Sequence, residues 1–170
     1  MKQLLTYLLL LISIYSDGQD LVEYKDTINN FSIGIPIGWR YGVLKNYPSI
    51  KIFAQQVQKD TSNKLFVNYN LNIYNSSDST FENAYTDFIS SISQAINSKI
   101  IDSGNTVINT TRYEWIIEGH QNKLAPISMR NYVFMTFKKG VCYVLTMVAP
   151  EKEFDLYKNL FDKIAGSFKL

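Results

Sequence analysis

Residues 127–148 read Ile-Ser-Met-Arg-Asn-Tyr-Val-Phe-Met-Thr-Phe-Lys-Lys-Gly-Val-Cys-Tyr-Val-Leu-Thr-Met-Val, and this stretch decides the fold class. Two apolar runs, 127–137 and 141–148, are joined by Lys138-Lys139-Gly140, the pattern of a β-hairpin. Both runs are apolar at odd and even positions alike. Each strand therefore needs cover on two faces, which places the pair at the centre of a sheet.

Working outward, two amphipathic helices supply that cover. Ser79-Thr80-Phe81-Glu82 fits a capping box, and Phe81, Ala84, Tyr85, Phe88, Ile89 and Ile92, then Ala95 and Ile96, continue at helical spacing to about Asn97. Downstream, Pro150 opens a second helix with Glu151 and Glu153 in its first turn. Its apolar stripe is Phe154, Tyr157, Leu160, Phe161 and Ile164, and Gly166 is expected to end it.

The remaining strands read from alternation. A short strand at 21–25 precedes Phe31-Ser-Ile-Gly-Ile-Pro-Ile37, which runs into the turn Gly38-Trp39. Residues 51–57 make another, and 65–73 set Leu65, Val67, Tyr69, Leu71 and Ile73 against Asn68, Asn70 and Asn72. Two short pieces, 99–102 and 106–108, are expected around Ser103-Gly104-Asn105, followed by 111–119 with Tyr113, Trp115 and Ile117 facing one way. Residues 122–126 form a turn. The order of strands, helix, strands, helix with hairpin connections predicts an α+β fold: an antiparallel β-sheet packed by two helices.

Ahead of this domain, Lys2 and the apolar run 4–15 have the form of a signal peptide, too short to span a bilayer of ~30 Å comfortably. Ser16 and Gly18 satisfy the small-x-small cleavage rule and place the mature start at Gln19. The organisation is thus residues 1–18 as leader and 19–170 as one domain. With no cysteine near the leader's end, no lipid attachment is expected, and the product is an exported, periplasmic or extracellular soluble protein with no transmembrane segment after cleavage.

The 170 residues carry a formal charge of +2, 46% hydrophobic and 19% charged residues, which are globular values that offer no field to recruit nucleic acid. Twelve Tyr and ten Phe suit a sheet-rich chain, and Tyr also serves binding surfaces. The single cysteine, Cys142, excludes an internal disulfide and sits in an apolar strand as a small hydrophobe.

An early strand running into Pro36-x-Gly38-Trp39 and a terminal Phe161-x-x-Ile164-x-x-Ser167-Phe168 give the chain a resemblance to the PsbP-like superfamily, over roughly residues 31–168. That superfamily includes the extrinsic oxygen-evolving-complex protein of photosystem II, a eukaryotic Ran-binding import factor and bacterial envelope proteins such as DcrB. The resemblance implies an α/β/α sandwich used mostly as a non-enzymatic binding or assembly module. It transfers no metal-binding or Ran-binding residue to a position here, and fold alone does not transfer a partner.

Chemistry is sparse. No nucleotide loop, nucleophile elbow or His-Glu-x-x-His is present, so no cofactor and no metal are expected. His120 is the single histidine, and alternation puts Arg112, Glu114, Glu118 and His120 on one strand face, interrupted by Ile116. One reading is a small hydrolase or metal site of Glu114, Glu118 and His120; the favoured one is a solvated or salt-bridged face. For a protein partner of unknown identity, the candidate surface is the non-periodic segment 40–48, expected to be a loop bearing Arg40, Tyr41 and Tyr47. The alternative for Tyr41 and Tyr47 is to fold back as lids on the core. The sequence thus favours an exported binding or assembly module of the cell envelope over an enzyme.

Overall fold

The computed structural model describes residues 19–57, 67–76, 80–92, 97–122 and 127–170. The expected leader, and Leu65, Ser79, Ala95, Ile96 and residues 123–126, on which expectations of strand, capping box, helix and turn fell, lie outside these.

The chain runs β1 (Leu21–Asp26), β2 (Phe31–Pro36), β3 (Arg40–Gly42), β4 (Ile50–Gln55), β5 (Asn68–Asn75), α1 (Phe81–Ile92), β6 (Lys99–Ile108), β7 (Thr111–Gln121), β8 (Ser128–Lys138) and β9 (Val141–Pro150). A 3-10 turn (Glu151–Glu153) then leads into α2 (Phe154–Ser167). Seven strands form one antiparallel sheet in the order β3-β4-β5-β9-β8-β7-β6, and β1 and β2 form a separate hairpin. As their two-sided apolar pattern requires, β8 and β9 occupy interior positions, with Lys138 paired to Val141 across Lys139-Gly140. Lys139 and Gly140 both have positive φ, 52° and 78°, the type I′ geometry whose twist matches a hairpin.

The sheet separates two apolar layers. On one face α2 and the β1–β2 hairpin cover Tyr69, Leu71, Phe134, Leu145 and Met147, with Phe154, Phe161 and Ile164 of the helix buried among them. On the other, α1 covers Ile116, Val133, Met135, Cys142 and Val144. This is the expected α/β/α sandwich, but its layers are unequal. α1 buries only Ala84 fully, and its Phe88 is half-buried, because that face of the sheet is the smaller apolar patch.

Three further expectations change. Residues 99–108 form one continuous strand instead of two pieces, with a bulge between Ile100 and Asp102. Gly104 makes no turn there. It lies beneath the Trp115 indole, where a Cβ would stand 2.7 Å from Cζ2, so the glycine gives the ring its seat. Gly166 does not end the last helix, which continues to Ser167 and gives way to extended Phe168. Finally, 40–48 is not wholly a loop. Arg40 to Gly42 pair with Phe53 to Gln55 as the outermost strand.

Candidate functional site

The polar face of β7 divides into two separate arrangements. At one end the Arg112 guanidinium donates to Glu114 Oε1 at 2.7 Å, with the arginine largely in solvent. At the other, Glu118 is 1% exposed. Its Oε1 accepts from Ser98 Oγ at 2.9 Å, and its Oε2 accepts from Asn131 Nδ2 at 2.9 Å and lies 3.0 Å from His120 Nδ1. Asn131 is in register with Glu118 on the neighbouring strand, and Ser98 directly precedes β6. A buried carboxylate needs such partners to offset its desolvation.

Glu114 and Glu118 are four residues apart on an extended strand, a separation of about 13 Å. The structure therefore does not assemble Glu114, Glu118 and His120 into one site. Among the described residues no group of three or more His, Cys, Asp or Glu is placed to hold a metal ion. Of the solvated or salt-bridged face, the paired description holds at both ends, Arg112 with Glu114 and His120 with Glu118, but Glu118 is not solvated: its cluster links β7 to β8 and to the start of β6. Ser98 and Asn131 were not legible as its partners, because cross-strand register carries no local signal.

Beside the Arg112–Glu114 pair, a groove of about 760 Å³ opens between the first turns of α1 and strands β7 and β8. Phe81 and Tyr85 stack along its wall with centroids 5.8 Å apart. Burial, then the nearby Glu114 charge, raises the Tyr85 hydroxyl pKa. Thr110 at its rim has φ 68°, an unfavourable conformation for a β-branched residue.

The segment expected to bind a partner is split by strand geometry. Arg40 is in register with Gln55 and Tyr41 with Ala54, so their side chains leave opposite faces of β3. Tyr47 lies in the turn beyond, its N–H donating to the Leu44 carbonyl. Neither tyrosine is a lid: Tyr41 is 58% and Tyr47 60% exposed. Tyr41 instead meets Tyr24 of the hairpin edge-on, with centroids 6.0 Å apart.

Tyr41 and Tyr24 border a hollow of about 340 Å³ between β1 and β3, completed by Val22, Ile35, Ile37 and Trp39. Val22 and Ile37 are more than half exposed beside it. Trp39 is buried, and its indole N–H has no acceptor among the described residues. Val22, Ile37 and Trp39 are not legible in the sequence as neighbours of Tyr41, since only docking of the hairpin against the sheet edge brings them together. No described helix is long and apolar enough to cross a membrane.

Comparison with known families finds the PsbP model matching residues 19–170. Among solved structures, the chain is similar to cyanobacterial PsbP (CyanoP) from Synechocystis, with 17% identity, TM-score 0.63, and coverage of 92% of this chain and 95% of that one. It is likewise similar to the Ran-binding protein Mog1p of Saccharomyces cerevisiae, with 12% identity, TM-score 0.61, and coverage of 89% and 96%. LpqN of Mycobacterium tuberculosis, described as involved in cell envelope biogenesis, shares 10% identity with TM-score 0.59 over 90% and 86%. Comparison with curated sequences finds no significant match. At these identities the likeness is one of fold.

Proposed function

The chain belongs to the PsbP family over residues 19–170, and from that premise we propose that it is an exported, non-enzymatic binding or assembly module of the cell envelope whose partner is a protein. The observation that carries this reading is the hollow between β1 and β3. There Val22, Ile37 and Tyr41, all large and more than half exposed, surround the buried Trp39. A concentrated apolar rim around a recess suits the core of a protein interface. The separation of Glu114 from Glu118 and His120 argues against the alternative, a small hydrolase or metal-dependent enzyme.

The fold relatives support the same class. Mog1p is named for binding Ran, a protein, and LpqN for cell envelope biogenesis. Export rests on the leader pattern in residues 1–18. Protein recovered outside the cytoplasm should begin at Gln19 by N-terminal sequencing; an intact Met1 on cytoplasmic material would overturn that half of the reading.

The binding half is tested by using the matured chain as bait in extract of its native cells. The double variant Val22→Ser, Tyr41→Ala should lose the retained partner while keeping its melting temperature, whereas Arg40→Ala and Tyr47→Ala, which do not line the hollow, should retain it. Retention by the double variant, with loss in the latter two, would move the site to the β3–β4 connection.

A further inference from the structure

The seven-stranded sheet ends on β6, and no described strand pairs with its outer edge. The tight turn at Asn109-Thr110 determines which backbone groups face outward. Ile108 and Thr111 flank that turn as a hydrogen-bonded pair, so Thr106, Gly104 and Asp102 bond to β7 in alternation. Val107, Asn105 and Ser103 then turn their N–H and C=O groups away from the sheet. Ser103 bears this out, because its N–H finds the adjacent Asp102 Oδ1, at 2.8 Å, in place of a strand carbonyl.

Along this edge the chain reads Ile100-Ile-Asp-Ser-Gly-Asn-Thr-Val-Ile108. Two apolar residues, five polar or small ones and two apolar ones give the same pattern from either end. An antiparallel pairing of this strand with its own copy about a two-fold axis centred on Gly104 sets Ile108 opposite Ile100, Val107 opposite Ile101 and Asn105 opposite Ser103. Moving the centre one residue either way opposes Lys99 to Val107 or Asp102 to Ile108. Ile100, Ile101 and Val107 are all exposed in the single chain, Val107 by 67%.

The centre of that pairing is also favourable. Gly104 faces its counterpart as a non-hydrogen-bonded pair, the closest approach of two antiparallel strands, at about 4.5 Å between Cα atoms. The Trp115 indole already lies over Gly104 and borders a hollow of about 320 Å³ with Asn105 and Ile108. Each copy would bring this ring to the axis, where a partly exposed aromatic contributes most to an interface.

We propose that β6 pairs antiparallel with β6 of a second copy of this chain, forming a two-fold dimer whose sheet runs continuously through both. Four backbone hydrogen bonds form at its centre, between Ser103 and Asn105 of each copy in both directions. Asp102 sets its strength, since its carboxylate competes for the Ser103 N–H, and the bulge at Ile101 limits the pairing at one end. The dimer is therefore reversible and concentration-dependent.

Sedimentation of protein isolated after expression of the full chain, from about 1 μM to about 1 mM, tests this over the range of weak association. A monomer–dimer equilibrium is expected, with Trp115 emission changing along it. Asn105→Pro removes an outward N–H and no bond to β7, and should weaken the dimer about tenfold or more. Asp102→Ala releases the Ser103 N–H and should tighten it. Should Asn105→Pro fail to fold, Val107→Lys at the exposed edge gives the same readout. Monomers throughout for both the unaltered chain and Asp102→Ala overturn the proposal, as does a dimer indifferent to Asn105→Pro or Val107→Lys in a natively folded protein.

Discussion

The Tyr69 hydroxyl donates a 3.1 Å hydrogen bond to the Gly34 carbonyl, and this bond crosses from the seven-stranded sheet to the separate β1–β2 hairpin. Tyr69 is fully buried, so Tyr69→Phe leaves that carbonyl without its donor. The expected cost is about 1–2 kcal/mol in a denaturant melt. A neutral result would mean that apolar packing and the bonds from Ser32 and Gly34 to the C-terminal segment dock the hairpin without it.

Burial also raises the hydroxyl pKa values of Tyr69, Tyr113 and Tyr132 well above the ordinary tyrosine value. Unfolded tyrosines ionise near pH ~10, while these keep their protons in the folded chain. Their contribution is therefore complete below about pH 10 and is lost as pH rises toward the folded values. The midpoint denaturant concentration should be lower at about pH 11 than at about pH 8, with the late tyrosinate absorbance appearing together with unfolding.

The unequal helical layers predict unequal costs. Phe161 is fully buried between Phe154 and Tyr157, and Phe161→Ala should cost about 3–5 kcal/mol. Phe88→Ala, on the half-buried stripe of α1, should cost less than about 2 kcal/mol. Equal losses in parallel melts would contradict the layer assignment.

Glu118→Ala strips Ser98, Asn131 and His120 of their shared acceptor inside the sheet. A loss of about 2–4 kcal/mol is expected. Retained stability, measured by denaturant midpoint, would show that water replaces the carboxylate and that the cluster is not a clamp.

At the β6–β7 turn, Thr110 occupies the left-handed position that type I′ geometry reserves for glycine. Thr110→Gly should raise stability by about 0.5–1 kcal/mol, since relief of strain outweighs the entropy gained by the unfolded chain. A lower melting temperature would show that the threonine side chain repays its strain with contacts at the groove.

Elements with strong local patterns were legible. The 138–140 hairpin, the stripe of Phe154, Phe161 and Ile164, and the alternation of Tyr69 and Leu71 all appear where hydrophobic period places them. Gly104 misled because a glycine between polar residues has the composition of a turn, and its actual use, seating Trp115, depends on a ring from the next strand. Arg40 and Tyr41 lacked periodicity because three residues at a sheet edge are too few to display any. The Glu118 clamp and the hollow around Trp39 draw residues from several strands, so neither is written in any one segment.

The Gly34 N–H donates to Ser167 Oγ at 2.7 Å across 133 positions of sequence, which fixes the order in which the molecule can be finished. In chain order β2 is the second strand to emerge and α2 the last helix, so β2 is formed before the helix that holds it is present. Until α2 arrives, Phe31, Ile33 and Ile35 have the sheet beside them but lack the helix that completes their core. A nascent chain with so late a closure is a natural client for holding chaperones, and any stop codon ahead of α2 would leave the β1–β2 hairpin unseated.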